Sequence, residues 1–189
     1  MENQQKLQGK KVAALMTEGF EQAEYTEPRK ALEAAGATVH LIAPNGGDVK
    51  AWDESDWGET FSADLPLDAA DPNQYDALLL PGGVMNPDKL RLLPKALQFV
   101  KSFFDQKKPV GAICHAPWLL IEAGVVQGRT ITSYPSLQTD LRNAGANWVD
   151  QEVVTDMGLV TSRKPDDIPA FSRKLVEEVA EGIHDRQRA

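Results

Sequence analysis

The chain has 189 residues, 42% of them hydrophobic and 25% charged, with a formal net charge of −8 and one cysteine. That length suits a single α/β domain with a full core. The lone cysteine excludes an intrachain disulfide framework and fits a reducing compartment, so a cytoplasmic protein is expected. The acidic balance argues against nucleic acid as a partner, and no apolar run approaches the roughly 20 residues of a membrane span.

Residues 1–9 are polar, lack the apolar stretch of a signal peptide, and are expected as a flexible tail ahead of one domain over residues 10–185. Lys11 to Met16 reads as a buried strand, and the polar turn TEGFEQAE leads from it into a helix that carries Leu32 and ends at Ala35. Pro28 falls in that helix at a position expected to be early enough to be cheap. Gly36 closes the helix, and Thr38 to Ala43 is the next strand. This βαβ start predicts a parallel sheet with a right-handed crossover.

Residues 44–66 are irregular and contain the cluster WDESDWGE, which fits a hairpin excursion. Tyr75 to Leu80 is an apolar strand of the buried parallel type that runs straight into PGG. Pro94 to Phe104 reads as an amphipathic helix with Ala96, Val100, Phe103 and Phe104 on one face. Val110 to Ile113 is a strand, followed by Cys114 and a helix from about His115 to Ala123. The stretch GRTITSYPSLQTDLRNAG alternates into a strand and then a helix. Short strands follow at Val153–Thr155 and Leu159–Thr161, and a last helix from about Asp167 spaces Phe171, Leu175, Val179 and Ile183 along one face. Repeated alternation of strand and helix predicts a flavodoxin-like, three-layer α/β/α sandwich with a mostly parallel sheet.

Cys114 sits where a strand turns into a helix. A thiol there faces unpaired N–H groups and the positive end of the helix dipole, which favour thiolate. The geometry follows the logic of a nucleophile elbow, with strained backbone and sulfur in place of a hydroxyl. On this basis an acidic, oxidation-prone thiol is expected, with His115 as proton acceptor. A buried structural cysteine is the competing reading.

Ligands of open parallel sheets bind outside the carboxyl ends of the strands. There the loops TEGFEQAE, PGGVMNPDKLR and CHAP should meet. The N–H groups of Gly82 and Gly83, and that of His115, are oxyanion-donor candidates. Glu21 and Glu24, three residues apart, share a helix face. Either could support the thiol, provided that it stays protonated. His40 and His184 read as structural or surface residues. No constellation suits a metal, and no cofactor is expected.

The ordered motifs FEQAE, YDALLLPGG, the PDKLR stretch, KPVGAICHAP, GVVQGRTITSYP, NAGANWVDQEVV and TSRKPDD span most of residues 10–180. With them the chain resembles the PfpI-type intracellular protease family, in the class I glutamine amidotransferase-like superfamily that also holds the Parkinson-associated deglycase-type proteins. The resemblance implies Cys114 as nucleophile with His115 beside it, and Glu21 or Glu24 as the supporting acid. It also implies a homodimer or higher homo-oligomer in which an acid just after PGG, here Asp88, reaches a neighbouring subunit's histidine. That position usually holds glutamate, so this chain is one methylene short there. The histidine and glutamate pair of true amidotransferases is absent, because His184 is followed by Asp185 and Arg186. The activities implied are hydrolysis or glyoxalase-type conversion of reactive carbonyl adducts, or peptide cleavage. The alternative is a non-catalytic stress protein, redox-sensing or chaperone-like, whose Cys114 oxidises.

Overall fold

A computed structural model of the chain describes residues 6–187 and residue 189. In chain order its elements are β1 (Lys11–Leu15), α1 (Gln22–Ala34), β2 (Thr38–Ala43), β3 (Asp48–Asp53), β4 (Asp56–Ser62), β5 (Leu65–Pro66), β6 (Ala77–Leu80) and α2 (Met85–Leu90). They continue as α3 (Pro94–Asp105), β7 (Val110–Ile113), α4 (Pro117–Glu122), β8 (Thr130–Ile131), α5 (Gln138–Asn143), β9 (Asn147–Trp148), β10 (Val153–Asp156), β11 (Leu159–Ser162) and α6 (Ile168–Glu181).

The central sheet has seven strands in the order β10-β11-β7-β6-β1-β2-β5. All neighbours pair in parallel except β10 with β11. The two-residue side-chain period of a strand splits the core into two layers. Ala13 and Leu15 of β1, with Leu78 and Leu80 of β6, pack with Phe99, Phe103 and Phe104 of α3 and with Leu119 and Leu120 of α4. Val12, Ala14, Ala77 and Leu79 face the other way, onto Tyr25 and Leu32 of α1 and Phe171 and Leu175 of α6. Burying both sheet faces is what requires the continuous apolar run LLL in β6. The result is a flavodoxin-like three-layer sandwich.

Several elements depart from the sequence reading. Residues 6–9, expected within a loose tail, form a turn whose Leu7 is fully buried and donates its amide to the Ala35 carbonyl at 2.8 Å. Residues 1–5 of that tail lie outside the described residues. Pro28 is well inside α1 rather than near its start, where it withholds the N–H that would close on the Glu24 carbonyl. The loop after PGG contains a short helix, α2, with Asn86, Pro87 and Leu90 buried. The helix after Cys114 begins only at Pro117 and has six residues. Ile183 lies beyond the end of α6, after Gly182 turns to φ +85°, and is 59% exposed. The final segment instead docks through Gln187, whose side-chain amide donates to the Lys108 carbonyl at 2.5 Å.

β3 and β4 form the expected hairpin as a separate two-stranded sheet. Its inner edge lies along the loop after β1. The Trp52 amide donates to the Phe20 carbonyl at 2.7 Å, and the Gly19 amide donates to the Lys50 carbonyl at 2.8 Å. The strand order reverses between β1 and β6, which places the crevice for ligands at their carboxyl ends.

Candidate active site

The loops after β1, β6 and β7 converge at that crevice, as the sequence reading expected. Cys114 follows β7 directly and adopts φ +63°, a left-handed conformation that costs a residue with a Cβ roughly 1–3 kcal/mol. Two main-chain hydrogen bonds hold it there. Its amide donates to the Ser162 carbonyl at 3.0 Å, and its carbonyl accepts from the Tyr134 amide at 2.9 Å. The strained elbow aims the sulfur away from the sheet while the residue stays 7% exposed.

Of the two candidate acids, Glu24 is the one at the sulfur. It is fully buried in the first turn of α1 and accepts the Gly82 amide on Oε2 at 2.7 Å. Its other oxygen, Oε1, is buried without a hydrogen-bond partner among the described residues, and the carboxyl is coupled electrostatically to the Cys114 thiol. Burial raises its pKa to about 8, against the pull of the Gly82 amide and the thiol, so at neutral pH it carries a proton. Glu21 lines the same cleft one helical turn earlier. Its Oε1 accepts the Glu54 amide at 3.2 Å, and burial raises its pKa, with Asp53 and Glu54 adding to the shift.

The thiol environment differs from the expected one. Six residues of helix beginning at proline supply little dipole, and burial pushes the Cys114 thiol up, with Glu24 pushing further when ionised. The Gly83 and His115 amides act in the opposite direction by hydrogen-bonding the sulfur. A thiolate at this position therefore depends on those two N–H groups and on the proton staying on Glu24. The imidazole of His115 places Nδ1 3.1 Å from Sγ, and burial lowers its pKa to about 4, so it is neutral at pH 7. Its other nitrogen, Nε2, lies 3.3 Å from the Ser136 hydroxyl. The ring stacks on Tyr134 at 4.6 Å and meets Trp118 edge-on at 5.2 Å.

The two glycines serve different ends. Gly82 is required by proximity: a Cβ there would lie 2.5 Å from Glu24 Oε2 and 2.7 Å from Cys114 Cβ. Its amide is committed to Glu24 and is not a free oxyanion donor, contrary to the sequence expectation. Gly83 adopts φ +74° and turns its amide to the sulfur.

Residues that the sequence reading passed over complete the site. Asn86, 1% exposed, accepts the Thr17 amide at 2.7 Å and donates to the Pro81 and Gly82 carbonyls at 3.0 and 3.1 Å. It pins the first and second loops together. Trp52, Glu54, Tyr134 and Pro165 join the three loops in lining a cleft of about 480 Å³ over the thiol. The WDESDWGE cluster, the SYP turn and the TSRKPDD segment were their sequence signals.

Asp88 is exposed on α2 and does not line the cleft. His40 bonds the Tyr75 hydroxyl at 3.0 Å, a structural contact. His184, a structural or surface residue by the sequence, has its Nε2 3.2 Å from Glu178 Oε2. With Glu181 these form the trio of metal-capable groups found among the described residues. Glu178 Oε1 also lies 3.5 Å from Lys174 Nζ, so the trio is already charge-paired. No helix among the described residues is long and apolar enough to cross a membrane.

Comparison with known proteins places this site in context. General stress protein 18 of Bacillus subtilis is 46% identical over 167 residues, covering 88% of this chain and 95% of its own length. Protein/nucleic acid deglycase 2 of Escherichia coli is 43% identical over 168 residues, covering 88% of this chain and 96% of its own. Among solved structures, Drosophila melanogaster DJ-1beta superposes with a TM-score of 0.83 at 29% identity, over 90% of both chains. A two-domain protein of Anabaena variabilis with DJ-1/ThiJ/PfpI-like and ferritin-like domains gives 0.84 at 33% identity, over 90% of this chain and 48% of that one. The sequence profile of the DJ-1/PfpI family matches residues 10–178, and the chain with its Cys114 elbow belongs to that family.

Proposed function

We propose that the chain is a cytoplasmic, stress-responsive hydrolase that uses Cys114 as nucleophile on reactive carbonyl adducts, in deglycase-type or glyoxalase-type chemistry. The observation that carries this reading is the set of four groups around the sulfur: a protonated buried carboxyl, a neutral imidazole nitrogen at 3.1 Å, and two main-chain amides. The deglycase name of the Escherichia coli relative and the stress-protein name of the Bacillus relative support it.

In this reading His115 Nδ1 takes the thiol proton and the amides of Gly83 and His115 hold the charge on sulfur. The sulfur then bonds the electrophilic carbon. Negative charge passes to the adduct's oxygen, and the proton on Glu24 neutralises it. With an amine adduct the C–N bond breaks and the amine leaves with the proton held by His115. With a free dicarbonyl the hemithioacetal isomerises to a thioester as its C–H proton moves to the adjacent carbonyl carbon. Water then breaks the C–S bond, its hydroxyl going to carbon and its proton to sulfur. An endopeptidase would need His115 oriented by an acid. Within one chain its Nε2 meets Ser136, and Asp88 is not part of the cleft lining, so peptide cleavage waits on a second subunit.

The test is turnover of methylglyoxal, of methylglyoxal-modified amino acids and of casein, by wild type and by Cys114→Ser. The expected result is turnover of the carbonyl substrates alone, lost in Cys114→Ser. Casein cleavage without adduct turnover, or adduct turnover that survives in Cys114→Ser, overturns the reading.

A further inference from the structure

The cleft over Cys114 is lined on every side, yet none of its lining residues is a lysine or arginine. Its acidic members are Glu21, Glu54 and the protonated Glu24, and Asp53 adds to the field at Glu21. Nearby cations are already engaged: Arg163 is paired with Asp167 and Asp150, Lys164 with Asp166, and Lys89 with Glu18. Two aromatic side chains, Trp52 and Tyr134, also line the cleft, and Tyr134 is 40% exposed.

Glu54 stands out among these. It occupies the tip of the β3–β4 hairpin at φ +56°, and among the described residues it is attached through its main chain. Its amide donates to Glu21 Oε1 at 3.2 Å, and its carbonyl accepts the Trp52 indole N–H at 3.0 Å. The hairpin is thereby fixed and the carboxylate is left exposed at the mouth of the cleft. Carboxylates beside aromatic faces recognise ammonium and guanidinium groups, and they repel anions.

We propose that Glu54, with Glu21 and the faces of Trp52 and Tyr134, is a specificity determinant that admits substrates carrying positive charge beside the electrophilic carbon and turns away anionic ones. This names the substrate class of the proposed function and rests on that reading for its catalytic consequence. The class is a carbonyl adduct borne on a cationic side chain, in preference to one borne on an acidic thiol carrier.

Three methanethiosulfonates test selectivity without turnover: the 2-(trimethylammonio)ethyl, methyl and 2-sulfonatoethyl reagents. With each, the Cys114 thiolate attacks the sulfenyl sulfur, a disulfide forms and methanesulfinate leaves. Second-order rates are divided by those for N-acetylcysteine. At ~0.15 M salt, where distant charges are screened beyond about 8 Å, the normalised rate of the cationic reagent should exceed that of the anionic one by roughly tenfold or more. Glu54→Gln keeps both main-chain bonds and should lower the ratio about three- to fivefold. Asp105→Asn, at the opposite end of the sheet, should leave it unchanged, and 1 M salt should erase it in wild type. Equal normalised rates in wild type, or a ratio that Glu54→Gln does not change, overturns the proposal while leaving the nucleophile reading intact. If no reagent labels the thiol, the nucleophile reading fails and the selectivity falls with it.

Discussion

At the scale of single residues, the site turns on where one proton sits between Cys114 and Glu24. Glutamine at position 24 retains a donor for the sulfur, whereas leucine retains only the burial. Alkylation by iodoacetamide at pH 7 should therefore be on the order of tenfold faster in Glu24→Gln than in Glu24→Leu. Equal rates would remove the carboxyl from thiol activation. The same group makes stability depend on pH. Its folded pKa of about 8 lies above the ordinary carboxyl value of 4.5, so whatever it contributes is intact below 4.5 and is lost as pH rises through 8. Glu24→Gln should gain on wild type across that window, by on the order of a few kcal/mol at its upper end, as read from urea unfolding at pH 5 and pH 9. Gly82 gives a steric prediction. A methyl group there meets Glu24 Oε2 at 2.5 Å with main chain and Cys114 behind it, so Gly82→Ala should lose activity about 100-fold or more and stability by roughly 1–3 kcal/mol.

At the scale of elements, the loops after β1 and β6 are held as one piece by Asn86. Asn86→Ala strips three main-chain groups of their partner in a buried setting. A cost of about 2–4 kcal/mol is expected in urea unfolding, together with a fall in kcat, because the Gly82–Gly83 turn loses its anchor. An unchanged unfolding midpoint would show that water replaces the side chain. Element type was readable wherever periodicity was strong, as in the apolar run of β6 and the amphipathic face of α3. The elbow was readable because an apolar strand stops abruptly at Cys114. Asn86 and α2 were not, since six residues in a loop bounded by Gly and carrying Pro leave no periodic trace. The choice between Glu21 and Glu24 was equally out of reach. Both share a helix face, and only the approach of Gly82 decides which carboxyl stands at the sulfur. Trp52 and Glu54 enter the site through the docking of a hairpin some thirty residues later in the chain, a tertiary event without a local signal.

At the scale of the whole molecule, the exposed apolar side chains Val84, Leu92 and Tyr134 lie on the loops after β6, α2 and β8, with Asp88 nearby on α2. A homodimer closed over this region is expected, with sedimentation showing dimer at micromolar concentration. Asp88→Asn should keep the dimer and lower turnover if its carboxylate reaches the partner subunit's imidazole. Unchanged turnover would leave the interface and discard that role. The β3–β4 hairpin carries a separate consequence. It belongs to its own two-stranded sheet, joined to the loop after β1 and the start of α1 by main-chain bonds at Gly19 and Trp52, by the Glu54 amide on Glu21, by Gln22 on Glu59 and by Phe61 against Phe20 and Tyr25. Such a unit can detach while the seven-stranded sheet stays folded, so its amides and those it covers should exchange with deuterium as one cooperative group well ahead of β1 and β6. The opening free energy of that group, read from the Trp52 amide, then sets how often a molecule too large for the closed cleft can reach the sulfur, since the cleft loses its outer wall each time the hairpin lifts.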